Sequence, residues 1–291
     1  MTETSRPEWA DLDARPTRAI VELMNDEDAR VAEAVRRTAP ELAAAIDAIV
    51  ERLRVGGRLV YAGAGTSGRL ALVDAAECGP TFGIDERTVV ALVAGGATAA
   101  ATAQEAAEDD AAAGAADVAA LAVNAADAVV VLSASGRTPY ALGAARAARE
   151  AGALLVAVVC AEDAPLAEGA DHTVAAVVGP EVVAGSTRLK AGTAQKLILN
   201  TISTVSMVKL GRTYGNLMVD VIASNAKLRT RARRAVELAT GASAEEAEAA
   251  LDAAGGAAKV AIVALLTGDD AVRAGARLDG AGGSVRRALE P

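Results

Sequence analysis

Aromatic residues, histidine and cysteine are scarce in this sequence, and their scarcity excludes several kinds of site. Phe, Trp and Tyr make up only 2% of the chain, so the core is expected to consist of Ala, Val, Leu and Ile. His172, the only histidine, lies at the predicted start of a strand, which disfavours a Ser-His-Asp triad. Cys78 and Cys160 lie far apart, so they predict neither a disulfide framework nor a metal-binding cluster.

The sequence also lacks a basic block of the size that nucleic-acid binding requires. The formal net charge is −9, and the densest basic stretch, 229–234 (RTRARR), is typical of a solvated helix surface. A nucleic-acid partner is therefore not expected. The negative balance does not disfavour a phosphorylated ligand, because local N–H groups and one or two cations determine the field at a site.

Long hydrophobic runs are missing as well. The first residues contain no apolar segment of the kind found in signal peptides, and no uninterrupted apolar run reaches about 18 residues. We therefore expect a cytoplasmic protein with no membrane partner. Hydrophobic residues nevertheless make up 52% of the chain, which is enough to bury a sizeable core.

What the sequence does contain is a series of short apolar runs, separated by Ala-rich helical stretches. Because the runs are continuous rather than alternating, each is expected to be buried on both faces, as in a parallel sheet. The pattern predicts an α/β fold with a parallel five-stranded sheet and helices on both faces. The five predicted strands are 58–62, 88–93, 128–132, 154–159 and 173–178.

The predicted organisation has three parts. Residues 1–50 form an N-terminal arm and helices, with helices over 17–25, 26–36 and 40–54. Residues 51–214 form the sheet domain, which ends in a helical segment over 187–210. Residues 215–291 form a C-terminal helical region, in which a helix begins near Asn216 and a small bundle occupies 240–291. Ser243 and Glu246 have the spacing of a capping box.

A glycine-rich loop, 63–69 (GAGTSGR), follows the first predicted strand and opens a helix. Gly65 and Gly68 allow close backbone approach to an oxyanion, and Thr66 and Ser67 add hydroxyl groups beside the helix N-terminus. The glycines also match the dinucleotide fingerprint G-x-G-x-x-G. That alternative is disfavoured, because the second strand ends in 93–96 (VAGG) without the acid that would bind a ribose.

Two further loops repeat this chemistry at the ends of later strands, where ligands bind in such sheets. The loop 133–139 (SASGRTP) supplies Ser133, Ser135, Gly136 and Thr138. Hydroxyl and N–H donors of this kind suit a phosphate monoester. The loop 185–193 (GSTRLKAGT) contains Ser186, Thr187 and Lys190, and two interpretations stay open: Ser186 caps the next helix, or the three residues contact sugar hydroxyls or phosphate.

Two carboxylates are candidates for acid/base chemistry beside a phosphosugar. Glu77 lies near the C-terminal end of the helix that follows the first loop, where a negative charge opposes the helix dipole and therefore calls for another reason. Glu108 lies in an acidic cluster, 104–110 (QEAAEDD), for which a solvated surface is the more common explanation.

Several motifs together resemble the N-acetylmuramic acid 6-phosphate etherases, over nearly the whole chain from about residue 8. The resemblance implies a sugar isomerase (SIS) fold over 51–214 and a homodimer with sites near the subunit interface. It also implies no metal or organic cofactor, and it places the two catalytic glutamates on Glu77 and Glu108. The motifs are 25–28 (NDED), 63–83 (GAGTSGRLALVDAAECGPTFG), 133–140 (SASGRTPY), 185–199 (GSTRLKAGTAQKLIL), 215–220 (GNLMVD) and 239–251 (ATGASAEEAEAAL).

The implied reaction converts N-acetylmuramic acid 6-phosphate into N-acetylglucosamine 6-phosphate and D-lactate, during recycling of the cell wall. A base removes the C2 proton of the open-chain sugar, an acid protonates the departing lactate oxygen, and water adds at C3. We assign Glu108 as the base and Glu77 as the acid, an order that the sequence does not fix. The base is expected to be partly buried. Two alternatives stay open. One is a non-catalytic phosphosugar-binding regulator, because the same architecture occurs doubled in glucokinase regulatory proteins. The other is an aldose–ketose isomerase that acts on phosphosugars.

Overall fold

The parallel sheet predicted from the apolar runs is present in the computed structural model, which describes residues 4–100, 102, 104–221 and 226–290. Its strand order is β2-β1-β3-β4-β5, and all neighbouring strands run parallel. The strands are β1 (Leu59–Gly63), β2 (Val89–Val93), β3 (Ala128–Leu132), β4 (Leu154–Val159) and β5 (His172–Ala175).

Alternate residues of the central strands pack in opposite directions, and both sets are buried. Val60, Val129 and Leu155 belong to one hydrophobic cluster with Ala141 and Ala144 of a covering helix. Their neighbours in the strands point to the other face, because side chains alternate along a strand, and these neighbours are buried as well. Burial on both faces explains why the runs show no polar alternation.

Helices connect the strands, and their bounds are as follows. The structure has α1 (Thr17–Arg37), α2 (Ala39–Arg54), α3 (Gly65–Phe82), α4 (Glu105–Glu108), α5 (Ala111–Ala120), α6 (Pro139–Glu150), α7 (Lys190–Lys209), α8 (Ala226–Thr240), α9 (Ala244–Ala253), α10 (Ala258–Thr267), α11 (Ala271–Gly280) and α12 (Val285–Ala288). Short 3-10 turns occupy Pro7–Trp9, Leu12–Ala14, Gly96–Ala100 and Pro165–Ala167.

The chain divides into two compact units. One consists of Met1–Ala75 and Arg87–Ser203, and it contains the five-stranded sheet. The other consists of Ala76–Glu86 and Thr204–Pro291, and its core is formed by residues of α8 to α12 such as Val236, Leu251 and Ile262. The domain boundaries predicted at 50/51 and 214/215 stay a prediction, since compactness alone does not define a domain.

Two predicted helix boundaries are wrong. Instead of a break after residue 25, α1 is continuous, and the Asn25 amide donates to the Val21 carbonyl oxygen at 3.0 Å, which accommodates asparagine inside the helix. Instead of a helix beginning near Asn216, strands β6 (Thr213–Tyr214) and β7 (Leu217–Met218) form a hairpin. Its two-residue turn begins with Gly215 at φ +57°, a conformation that favours glycine.

The predicted C-terminal bundle and its capping box are confirmed. Within the described part of 240–291 the chain forms four helices, α9 to α12. At the start of α9, Ser243 Oγ accepts a hydrogen bond from the Glu246 N–H at 3.2 Å, and the Glu246 carboxylate accepts one from the Ser243 N–H at 2.8 Å. In the parts of the chain that the structure describes, no single helix is long and apolar enough to cross a membrane. The bent pair α9–α10 passes that test jointly, by length and composition.

Candidate functional site

A polar cavity of about 340 Å³ lies where the first two predicted loops meet. These loops follow β1 and β3, which are neighbours in the sheet, so their carboxyl ends bring the loops side by side. The third loop and the segment around α4 complete the lining. The lining residues are Ala64, Gly65, Thr66, Ser67, Arg69, Gln104, Glu105, Glu108, Ala134, Ser135, Thr138 and Thr187.

The first loop presents the start of α3 to this cavity. Gly65 has φ +53° and begins the helix, and Thr66 and Ser67 follow in its first turn, where backbone N–H groups have no partner inside the helix. Gly68 does not line the cavity. A Cβ at Gly68 would lie 2.5 Å from the Gly63 carbonyl oxygen, so this glycine allows α3 to pack closely on β1.

Ser67 has a defined hydroxyl partner behind the cavity. Its Oγ lies 2.8 Å from Oε1 of Gln195, a buried residue of α7, and the remaining polar atom of that amide, Nε2, has no hydrogen-bond partner among the described residues. Rotation of the amide by half a turn would direct Nε2 at Ser67 and free the serine hydroxyl to donate. Gln195 therefore determines whether Ser67 offers a proton or a lone pair to a ligand.

The second loop divides its predicted residues into two pairs. Ser135 and Thr138 line the cavity, whereas Ser133 and Gly136 shape the loop behind it. Ser133 is buried, and its Oγ lies 2.9 Å from Thr138 Oγ1 and accepts a hydrogen bond from the Gly136 N–H at 3.0 Å. Gly136 has φ +66°, and a Cβ there would collide with the Ala164 side chain. Glycine is thus required for the turn that presents the two hydroxyls.

The third loop contributes Thr187 alone of its three predicted residues. Ser186 forms main-chain hydrogen bonds with Val183 and Leu189 and does not cap the helix, because α7 begins only at Lys190. Lys190 is buried, and its Nζ lies 2.5 Å from Glu27 Oε2. The structure therefore does not bring Ser186 or Lys190 to the cavity.

Glu108 is the carboxylate that the structure brings to the cavity. It is half-buried, and burial raises the pKa of its carboxyl group, with further increases from the charges of Asp109 and Glu105 and an opposing decrease from Arg69. The partial burial predicted for a catalytic base is confirmed at this residue. A raised pKa suits a carboxylate that must accept a proton near neutral pH.

Arg69 is a lining residue that sequence reasoning did not select. Its Nε donates to the Ala99 carbonyl oxygen at 3.0 Å, which ties the segment after β2 to α3. The positive charge of the Arg69 guanidinium also lowers the pKa of the Glu108 carboxyl group. An arginine directly after a glycine-rich loop is a usable signal, but the sequence alone cannot show that its partner is a backbone carbonyl 30 residues away.

Glu77, the other predicted catalytic carboxylate, is not among the residues that line the cavity. It is exposed on α3 and belongs to the second compact unit. A second cavity, of about 620 Å³, lies within that unit. Its charged residues pair with one another, as Lys259 Nζ does with Asp220 Oδ2 at 2.6 Å, and it contains none of the predicted site residues.

Solved structures share this fold with the chain at low sequence identity. The chain is similar to a phosphoheptose isomerase from Neisseria gonorrhoeae at 18% identity and a TM-score of 0.52, over 66% of this chain and 98% of that one. At this identity the likeness supports the fold alone. Two family models agree with it: the glucokinase regulatory protein N-terminal SIS domain matches residues 41–149, and the SIS domain matches residues 102–204.

Curated relatives match the chain far more closely. An N-acetylmuramic acid 6-phosphate etherase from Rubrobacter xylanophilus is 62% identical over 265 residues, which are 91% of this chain and 88% of the relative. The etherase of the same name from Streptomyces avermitilis is 56% identical over 264 residues, covering 91% of this chain and 85% of the relative. This chain belongs to the N-acetylmuramic acid 6-phosphate etherase family, as its loop motifs predict.

Proposed function

We propose that the chain cleaves the D-lactyl ether of N-acetylmuramic acid 6-phosphate and releases N-acetylglucosamine 6-phosphate and D-lactate, in recycling of cell-wall amino sugars. The observation that carries this proposal is the position of Glu108, a carboxylate with a raised pKa, in the same cavity as the start of α3 and the loop hydroxyls. An anion cradle beside a proton acceptor suits chemistry on a phosphorylated sugar. The names of the close relatives supply the identity of that sugar.

The phosphate group is held by donors rather than by a cluster of cations. The first turn of α3 offers free N–H groups and the positive end of the helix dipole. Thr66, Ser67, Ser135 and Thr138 add hydroxyls, and Thr187 adds one from the third loop. Binding at this remote group holds the reacting carbons in place, so that phosphate affinity contributes to the rate.

The reaction proceeds by elimination followed by addition. In the open-chain sugar the C2 proton is acidic because it lies next to the aldehyde, and Glu108 removes it. The C3–O bond then breaks, and Glu77 gives a proton to the lactate oxygen. Water adds its oxygen to C3 of the unsaturated aldehyde while a proton returns to C2. Neither step needs a metal or an organic cofactor to balance.

The enzyme works as a homodimer in the cytoplasm under this proposal. The exposed side of α3 supports a subunit contact, because Leu72 and Val73 lie there and Val73 is 61% exposed in the single chain. Apolar side chains of this kind gain stability when a partner covers them. Sedimentation of the purified protein tests the dimer, and fractionation of the producing cell tests the location.

An assay for D-lactate release from N-acetylmuramic acid 6-phosphate tests the activity. Run in heavy water containing labelled oxygen, the reaction is expected to place deuterium on C2 and solvent oxygen on C3. Labelled oxygen in lactate instead would contradict elimination. Tight binding of the substrate with no lactate would favour a regulatory protein, and interconversion of hexose phosphates without lactate would favour an isomerase.

A further inference from the structure

Three charged side chains are buried in the hydrogen-bond and ion-pair network at the start of α7, and none of them lines the phosphosugar cavity. Glu27, Glu181 and Lys190 are 3%, 1% and 2% exposed. Glu27 belongs to the NDED motif at 25–28, to which the reaction assigns no role. Burying three charges is costly unless each has partners, so the arrangement calls for a structural reason.

Glu181 caps the start of α7 with both of its carboxylate oxygens. Oε2 accepts a hydrogen bond from the Lys190 N–H at 3.0 Å, and Oε1 accepts one from the Ala191 N–H at 3.0 Å. These are N–H groups that the helix itself cannot satisfy, and a negative charge is favourable at this end of the helix dipole. Glu181 therefore fixes both the position and the direction of the first turn of α7.

The same turn is tied to the sheet by Cys160. Its Sγ lies 3.7 Å from the Ala191 carbonyl oxygen, just beyond the end of β4. Burial, with a smaller contribution from the charge of Glu181, raises the pKa of the Cys160 thiol to about 12, so the thiol stays neutral. A neutral thiol adds no further charge beside the carboxylate.

Lys190 holds the turn from the side of α1. Its Nζ lies 2.5 Å from Glu27 Oε2, and Glu27 Oε1 lies 3.1 Å from Arg30 Nη1. The Trp9 ring completes the surroundings, with its centroid 6.0 Å from Nζ. The ammonium group is thus enclosed by a carboxylate and an aromatic face.

The turn that these residues fix leads directly to the cavity. The Thr187 carbonyl oxygen, which precedes α7, accepts a hydrogen bond at 2.9 Å from the N–H of Gly192 in the first turn of that helix. A Cβ at Gly192 would lie 3.3 Å from Thr66 Cγ2, so the same turn packs against the first loop. Displacement of the turn would move Thr187 and Thr66, which both line the cavity.

We propose that Glu181 is a positioning residue for the phosphosugar site, which it serves by fixing Thr187 and Thr66 through the first turn of α7, with the buried Glu27–Lys190 pair holding the same turn. The inference rests on the proposed function, because the ligand of the cavity is taken to be the phosphosugar. It assigns Lys190 to support of the site, in place of the direct contact with the sugar expected from its loop.

Glu181→Gln tests the positioning role, with Asp127→Asn as its matched control. In glutamine an NH2 group replaces one of the two carboxylate oxygens. Because that NH2 group cannot accept a hydrogen bond from a helix N–H, one of the two hydrogen bonds is lost. Asp127 is also a buried carboxylate that binds several donors, among them Arg58, but it precedes β3, at the end of the sheet away from the loops. Both variants are expected to lower the thermal midpoint.

Only Glu181→Gln is expected to alter ligand binding. KM for lactate release should rise about tenfold, the loss of about one hydrogen bond to a charged group, and the inhibition constant of inorganic phosphate should rise in parallel. In Asp127→Asn both constants should stay within about twofold of wild type. Unchanged constants in Glu181→Gln, or equal changes in the two variants, would overturn the proposal. If the wild-type protein released no lactate, the proposed function would be contradicted. The positioning role would still be tested, because calorimetry measures phosphate binding without turnover.

A single variant and a double variant test the reassignment of Lys190. Lys190→Met removes the buried ammonium partner of Glu27 and leaves only the exposed Arg30 beside that carboxylate, so this single variant should lose stability and raise KM. Adding Glu27→Gln removes the buried charge that has lost its ammonium partner, and the double variant should recover KM to within about threefold of wild type. If Lys190 contacted the substrate, the double variant would keep the high KM. The double variant alone decides between these outcomes, so the test survives if Lys190→Met does not fold.

Discussion

The carboxylate of Glu108 lies directly against Gly65, at the start of α3. A Cβ added to Gly65 would collide with Oε1 of Glu108. Glycine is favoured at this position for two reasons. Its φ of +53° begins α3, and its missing side chain leaves room for the Glu108 carboxylate at the helix start. This contact joins the proposed phosphate cradle to the proposed base.

The first prediction is that Gly65→Ala lowers activity without unfolding the protein. Alanine at positive φ costs about 1–2 kcal/mol, a modest loss for a chain of this size. The added methyl group displaces Glu108, so kcat/KM for lactate release should fall more than about tenfold while the thermal midpoint drops by a few degrees. Gly96→Ala, at φ +67° with open space around it, is the matched control for backbone strain. Equal loss of activity in both variants would show that the contact with Glu108 is unimportant.

The second prediction concerns proton removal by Glu108. Glu108→Gln keeps the size of the side chain and removes its basicity, so lactate release should fall by at least about a hundredfold. Exchange of the C2 proton with deuterated solvent should disappear with it. Inorganic phosphate should still bind, because the hydroxyls and the α3 N-terminus are unchanged. Lactate release close to wild type would remove Glu108 from the mechanism.

The third prediction separates Glu77 from Glu108. If Glu77 protonates the departing lactate oxygen, Glu77→Gln should release little lactate but should still exchange the C2 proton with solvent. The comparison of exchange with release in the two glutamine variants assigns the acid and the base. Loss of exchange in Glu77→Gln, together with its retention in Glu108→Gln, would reverse the two roles.

Local patterns were sufficient for the strands and for the cradle. Continuous apolar runs identified β1 to β5, and the glycines and hydroxyls of two loops pointed to residues that the structure brings to one cavity, because both features depend on residues close together in sequence. The hairpin at residues 213–218 was missed because its two-residue turn lies inside a stretch that also suits a helix. Its apolar residues, such as Leu217 and Met218, are too few to show a strand period.

Long-range partners account for what the sequence could not predict at the site. Lys190 has the sequence context of a ligand contact, yet its partner is Glu27, which lies 163 residues away in the chain. Glu181 caps a helix that begins nine residues later, well outside the spacing of any local capping motif. Only the tertiary fold of the first unit, which contains Glu27, Glu181 and Lys190, brings these groups together, and no local sequence pattern indicates it.

The last prediction is a pH dependence that Arg69 controls. Glu108 must be ionised to accept the C2 proton, so kcat/KM should fall as the pH is lowered through its pKa. Because burial raises that pKa, the midpoint should lie above the ordinary value for glutamate. Arg69 lowers the pKa of Glu108 in the wild type, whereas Asp109 and Glu105 raise it. Arg69→Met should therefore move the midpoint to higher pH, and Glu105→Gln should move it to lower pH. Opposite shifts in these two variants, measured from kcat/KM profiles, identify Glu108 as the titrating group; a midpoint that neither variant moves would assign the titration to another residue.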